Sequence, residues 1–198
     1  MQKKLIMQNK FFISFFIFLL SVTQFSCVPK NNSKKIIVAS FGKVESLDPA
    51  RVTTLKAFQL LASLGDTLYV INSDGKLVPE LALGMPIISE DKLKVTINLK
   101  ENIYFHDGTQ FDAEAMKFTI DRFRRIGINN YILGDKINFI QTPSKFQLVL
   151  GLNKPSSSIN ALLTSVNLTP VSPTFYKEYS NNFLNDNFIG TGKYLLKN

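Results

Sequence analysis

The sequence has one cysteine, one histidine and no tryptophan among its 198 residues. A lone cysteine excludes an internal disulfide framework, because a bridge needs two thiols. A lone histidine, His106, excludes the histidine clusters at metal-ligand spacing that build zinc sites. It also means that any serine or cysteine triad would have to use His106, and Cys27 stands in a polar stretch near the N-terminus. No GxSxG occurs. Gly190–Thr191–Gly192–Lys193 resembles a phosphate loop only in part, since Tyr194 stands where Ser or Thr would coordinate Mg²⁺. Carboxylate pairs such as Glu90/Asp91 are ordinary in a soluble protein and carry no weight for glycoside chemistry. With no catalytic grouping, metal site or cofactor motif, the expectation is a protein that is not an enzyme. A binding module and a structural envelope protein remain.

Acidic residues are also few. Against 23 Lys and Arg stand 15 Asp and Glu, a formal charge of +8. Lys3, Lys4 and Lys10 precede position 27 with no acid among them, which leaves +5 for the rest. That charge is scattered, concentrating only at Lys34–Lys35 and at Arg122–Arg125 with Phe123 inside. A scattered charge without a nucleic-acid motif favours solubility, and no nucleic-acid partner is expected.

The three early lysines lead into FFISFFIFLL at positions 11–20. Ten residues are too short to cross a hydrocarbon core of about 30 Å as a helix. A basic start, a short apolar run and the polar SVTQFS describe a secretory signal over residues 1–26. Cys27 follows Ser26, an arrangement that resembles a bacterial lipoprotein cleavage site, although Gln24 stands where Leu is usual. Lipidation there would tie the chain to the lipid bilayer, each buried CH₂ contributing about 0.8 kcal/mol. Residues 27–35 read as the tether, being polar and poor in order-promoting residues. The destination is the periplasmic face of the inner membrane, or the soluble periplasm without the lipid.

The folded part reads as α+β, a mixed α/β body carried by hairpins. Ile36–Phe41 is a first apolar strand, and Asp48–Pro49 starts a turn. Leu55, Phe58, Leu61 and Ala62 have helical spacing, with the helix ending at Gly65 and a strand over Thr67–Ile71. Asn72–Ser73–Asp74–Gly75 is a turn between extended segments. Leu93, Val95, Ile97 and Leu99 alternate with polar residues, the pattern of a half-buried antiparallel strand. After the turn at His106–Thr109 the period changes, with Asp112 as cap, Met116, Ile120 and Phe123 on one helix face, and Gly127 as terminator. Arg122, Arg124 and Arg125 fall in the last turns, where exposed cations complement the helix dipole. Phe146, Leu148, Leu150 and Leu152 alternate as another strand. Short helices are expected after Pro155 and from Pro173, and Tyr194–Leu196 reads as a strand beginning after two glycines.

Taken in order, several segments resemble the extracellular solute-binding proteins of family 5, the binding components of peptide and nickel importers. They are SLDPA (46–50), LYVINSDGKLVPELA (68–82), LKVTINLKENIYFHDGTQFDAEAMKFTIDR (93–122) and FIGTGKYLL (188–196). The positions that carry the likeness are Asp48, Pro49, Asp74, Gly75, His106, Asp107, Gly108, Phe111, Ala113, Phe118, Arg122, Gly190, Thr191 and Gly192. Two departures stand out. Gly84–Met85 occupy the region of a usual tryptophan, and Lys193 replaces a usual proline.

The resemblance implies a periplasmic-binding-protein-like type II fold in which two lobes shut on a solute. Residues 36–66 would begin the first lobe, 67–185 would form its small subdomain, and 186–198 would return into it. On this expectation the second lobe is absent and the chain is truncated, incapable of full function alone. The implied partners are a peptide or other small-molecule solute and the ABC permease subunits of the inner membrane. Oligopeptide or dipeptide leads; nickel, haem and oligosaccharide are alternatives, as is a structural envelope lipoprotein. The resemblance carries no ligand contact to a numbered residue.

Overall fold

The computed structural model describes residues 35–39, 42–133 and 136–197. The leader, Cys27 and nearly all of the tether lie outside the described residues. The chain divides into two units, Met1–Phe41 and Gly42–Asn198. In the first, residues 35–39 have no regular secondary structure and are exposed, so Ile36–Val38 form no strand.

In the second unit, α1 (Leu55–Leu64) is capped by the Thr54 hydroxyl, which accepts from the Ala57 amide at 3.4 Å. Its buried residues are Ala57, Leu61 and Leu64, whereas Leu55 is 72 % exposed. The expected face is therefore rotated, because Leu47, Val52, Val171 and Phe188 pack with the 57–61–64 stripe. A hairpin follows, β1 (Tyr69–Ile71) with β2 (Leu77–Pro79). The first strand starts two residues later than expected, since the Thr67 amide and hydroxyl turn to the Glu80 carboxylate at 2.7 and 3.0 Å. Gly75 closes the turn at φ 73°, a conformation that favours glycine.

The main sheet has four strands in the order β3 (Ile87–Ile88), β4 (Lys94–Asn98), β6 (Gln147–Leu152), β5 (Ile137–Ser144). Each described pairing is antiparallel. The alternation read from the sequence sets the faces. Val95, Ile97, Leu148 and Leu150 point inward at 0–1 % exposure, each directly opposite a partner on the neighbouring strand. The strand β5 has no clean alternation, and its ladder with β6 is broken by register shifts between Ile137 and Phe139 and between Gln141 and Ser144.

Helix α2 (Ala113–Ile126) covers that inner face. Asp112 caps it, accepting from the Ala115 amide at 2.9 Å, and the Gly127 amide closes it on the Phe123 carbonyl at 2.8 Å. Met116, Ile120 and Phe123 are buried on one stripe, as their spacing requires. Three short helices complete the unit: α3 (Ile159–Leu163), α4 (Pro173–Glu178) with Pro at its start, and α5 (Asn181–Asp186). Residues 194–197 form no strand, and Tyr194 and Leu195 are each 49 % exposed.

The apolar interior falls into two clusters. One unites the sheet, α2 and the hairpin. The other unites Leu47, Val52, α1, Val171, Tyr176, Leu184 and Phe188. Ile97 is fully buried in the first. Truncation to Ala should cost about 2–5 kcal/mol, the usual range for deleting a buried aliphatic side chain. Urea unfolding monitored by circular dichroism checks it; a loss below about 1 kcal/mol would place Ile97 outside a packed core.

Candidate functional site

The marked residues gather at two places. In the first, SLDPA folds into a turn in which the Asp48 carbonyl accepts from the Arg51 and Val52 amides at 2.8 and 3.1 Å. The Asp48 side chain is wholly buried, and one oxygen also accepts from the Ala50 amide at 3.1 Å. Opposite it stands Arg122, only 5 % exposed. Its two terminal nitrogens donate to the two carboxylate oxygens, each at 2.5 Å. This two-pronged geometry suits a planar guanidinium and carboxylate.

The arginine cluster is thus not a set of equivalent exposed charges. Arg122 lies on a second covered face of α2, with buried Ala115 and Thr119 and four residues from Phe118, while Arg125 is exposed. Arg124 pairs weakly with Asp121 at 3.6 Å.

Three residues not singled out in the sequence complete this knot. Tyr176 of α4 lays its ring 5.0 Å from the Arg122 guanidinium carbon. Burial, and then the Asp48 charge, push its phenol well above the ordinary tyrosine value. Buried Asn167 donates to the carbonyls of Pro49 and Val52 at 2.7 and 3.1 Å. Asn185 accepts from the Ser46 hydroxyl at 2.7 Å, and Ser46 in turn accepts from the Asp48 amide at 3.1 Å. No local sequence pattern announces these partners, which lie 118 residues or more from the turn for Asn167 to Pro49 and 139 for Asn185 to Ser46.

The second place is the turn at 106–109, closed by Gly108 at φ 82°. The His106 amide donates to the Gly190 carbonyl at 2.9 Å. Its Nδ1 accepts from the Gly190 amide at 3.4 Å, so Nε2 carries the proton and donates to the Gly192 carbonyl at 2.7 Å. Thr191 is fixed from the other side, donating to Asp66 at 2.9 Å. Gly192 lies so close to the end of α1 that an added Cβ would stand 2.5 Å from the Leu64 carbonyl carbon. Lys193 is exposed beyond it. The loop is therefore closed on itself and its neighbours, not held open as a phosphate cradle.

Asp107 faces the opposite way. It accepts from the Thr109 amide at 3.0 Å, from the Thr109 hydroxyl at 2.6 Å and from the buried Ser172 hydroxyl. Partial burial opposes its charge, but these donors outweigh it and hold the carboxyl below the ordinary aspartate value. Ser172 also caps α4, accepting from the Phe175 amide at 3.3 Å. The Ser-Pro pair at the start of α4 was the local signal for that cap.

The remaining marked residues serve neighbouring roles. Phe111 is buried edge-on to Phe105 at 6.0 Å, and Ala113 is buried with its amide on the Lys145 carbonyl at 2.9 Å. Phe118 is half-buried beneath Lys177, whose ammonium lies 5.4 Å from the ring. Asp74 and Gly75 stand apart at the exposed hairpin tip. Tyr69, fully buried, donates to the Gly84 carbonyl at 2.9 Å, and burial pushes its phenol up to about 12. Met85, beside it, is exposed. An open cleft of about 410 Å³ runs between the start of α2 and α4, lined by charges of both signs including Glu114, Lys117, Asp121 and Lys177. Among the described residues, no group of three or more His, Cys, Asp or Glu is placed to hold a metal ion.

This mixed α/β unit, whose marked polar residues fasten its returning loops, has the fold of one lobe of the type II periplasmic binding proteins. It overlays on the Listeria monocytogenes OppA bound to peptide with a TM-score of 0.72 at 21% identity, covering 79% of this chain and 34% of that one. NikZ from Campylobacter jejuni in complex with Ni(L-His) gives 0.68 at 22% identity, covering 78% of this chain and 31% of that one. The chain belongs to the bacterial extracellular solute-binding proteins, family 5 Middle, whose sequence profile matches residues 76–198. Members of this family bind solutes outside the cytoplasmic membrane and are not enzymes. The glutathione-binding protein GsiB of Salmonella paratyphi A is 26% identical over 171 residues, which is 85% of this chain and 33% of the relative. The chain spans about a third of the length of the curated relatives it matches.

Two outcomes follow from the site geometry. Asp48→Ala leaves a buried guanidinium without its counter-ion and should cost about 3–5 kcal/mol, read from urea unfolding, with partial recovery in Asp48→Ala/Arg122→Met. A cost under about 1 kcal/mol would mean that water reaches Arg122. Asp107 is lowered in the folded state, so its contribution is present above the unfolded aspartate value near about 3.9 and disappears as pH falls through the lower folded value. Asp107→Asn should therefore flatten the acid limb of the thermal-stability profile below about pH 4; an unchanged limb would rule the carboxylate out as its source.

Proposed function

We propose that the protein is the substrate-binding component of an ABC import system, and that its solute is an oligopeptide or dipeptide. The observation that carries this reading is the similarity over 171 residues to a glutathione-binding protein, glutathione being itself a small peptide. The match of fold to an OppA bound to peptide supports the same class. In this reading the leader at 1–26 exports the chain and Cys27, lipidated, anchors it through the tether at 27–35. Residues 36–66 open the first lobe, 67–185 form its small subdomain and 186–198 lead back into it. The signature residues then have a mechanical part. Asp48 and Arg122 bind the opening of the lobe to α2 and α4, while His106, Asp107 and Gly190–Gly192 fix the return. A lobe held rigid in this way presents one wall against which a second lobe can shut, stripping water from the solute. Delivery to the permease follows when the lobes part.

Disruption of the gene in its host, followed by uptake of four labelled solutes, peptide (dipeptide or oligopeptide), nickel, haem and oligosaccharide, tests the proposal. Saturable peptide uptake should fall to the non-saturable background while nickel uptake is unchanged. Intact peptide uptake with loss of nickel, haem or oligosaccharide uptake would overturn the peptide assignment. Intact uptake of all four would leave a structural envelope lipoprotein.

A further inference from the structure

Every hydrogen-bonding group of the His106 ring is used, and both partners belong to one short loop. Nδ1 accepts from the Gly190 amide at 3.4 Å and Nε2–H donates to the Gly192 carbonyl at 2.7 Å. The main chain adds a third tie, His106 N–H to the Gly190 carbonyl at 2.9 Å. Only the neutral imidazole with its proton on Nε2 satisfies both ring contacts. The ring is half-buried, so a proton can reach it.

We infer that His106 is a proton-sensitive latch on the Gly190–Gly192 loop. A second proton must go to Nδ1, which faces the Gly190 amide; two donors then oppose each other and that hydrogen bond is lost. The bond from Nε2 to Gly192 is kept and gains charge assistance. Acid therefore loosens the Gly190 side of the loop, leaving it only the bond from the His106 main-chain amide to the Gly190 carbonyl, while the Gly192 side stays fastened. Histidine is the side chain whose unperturbed form changes charge between about pH 5 and 8.

The charged groups on the elements that meet at the ring are Asp107, Asp66 and Lys193. Asp107 is occupied by Thr109 and Ser172, and Asp66 by Thr191. Lys193 is exposed. None of the three is ion-paired with the imidazole, so no described carboxylate compensates the new positive charge.

The test is NMR on the full chain labelled with ¹⁵N, between pH 8 and pH 5. The ring nitrogens should report the Nε2–H tautomer at high pH. The Gly190 amide shift should titrate with the same midpoint as the ring, and its exchange, corrected for intrinsic pH dependence, should speed up about 2- to 10-fold, the worth of one lost hydrogen bond. Val95 and Leu150 in the sheet should remain protected throughout. In His106→Gln, whose amide offers one acceptor and one donor, the Gly190 titration should vanish. A Gly190 amide that ignores the ring midpoint in the unmodified chain would overturn the inference. So would a titration that persists in His106→Gln, or a loss of protection shared equally by Val95 and Leu150.

Discussion

The buried pair of Asp48 and Arg122 is the constraint on which the rest of the structure depends. Removing a carboxylate and a guanidinium from water costs several kcal/mol for each ion, and only close geometry with further hydrogen bonds can offset that. Here the offset is local and dense. The carboxylate takes both guanidinium prongs and the Ala50 amide, and the cation lies against the Tyr176 ring. Such a pair adds little net stability over an apolar contact, but a packing that buries either charge without the other would be strongly disfavoured. Its position gives that choice wide reach. Ala50 belongs to the apolar cluster around the sheet, and Tyr176 to the cluster around α1. The ion pair joins the two.

The turn at His106 and Asp107 works by the same logic with weaker bonds. Two neighbouring side chains point to opposite sides, one to the Gly190–Gly192 loop and the other to the cap of α4. A four-residue turn thus ties together segments 65 and 86 positions further along the chain. Backbone groups in those segments would otherwise need water or partners of their own. The chemistry in both places is spent on holding the chain.

The comparisons and the geometry address different questions. The family profile and the overlays establish the fold and the class of protein. They do so through the order of segments, and structures with different bound solutes share that order. Fold and class therefore do not by themselves fix the solute.

Much of this was readable in the sequence wherever a signal is local. The periodicity of Val95, Ile97 and Leu99 fixed a strand face, and Asp112 with Met116, Ile120 and Phe123 fixed a capped helix and its stripe. The turns at Gly75 and Gly108 follow from residues free to take positive φ. Local signals misled where burial depends on distant partners. Ile36–Val38 and Tyr194–Leu196 are apolar but form no strand, and Leu55 faces outward because α1 packs by another stripe. The irregular β5 had no period to read. Arg122 is the clearest case. Its helical position and its signature membership were both visible, yet whether it is a solvated charge or half of a buried pair depends on Asp48, 74 residues away. Sequence determines local period, caps and turns because those are set by bonds within a few residues; tertiary structure alone decides which charge is desolvated, because only folding brings its counter-ion within reach.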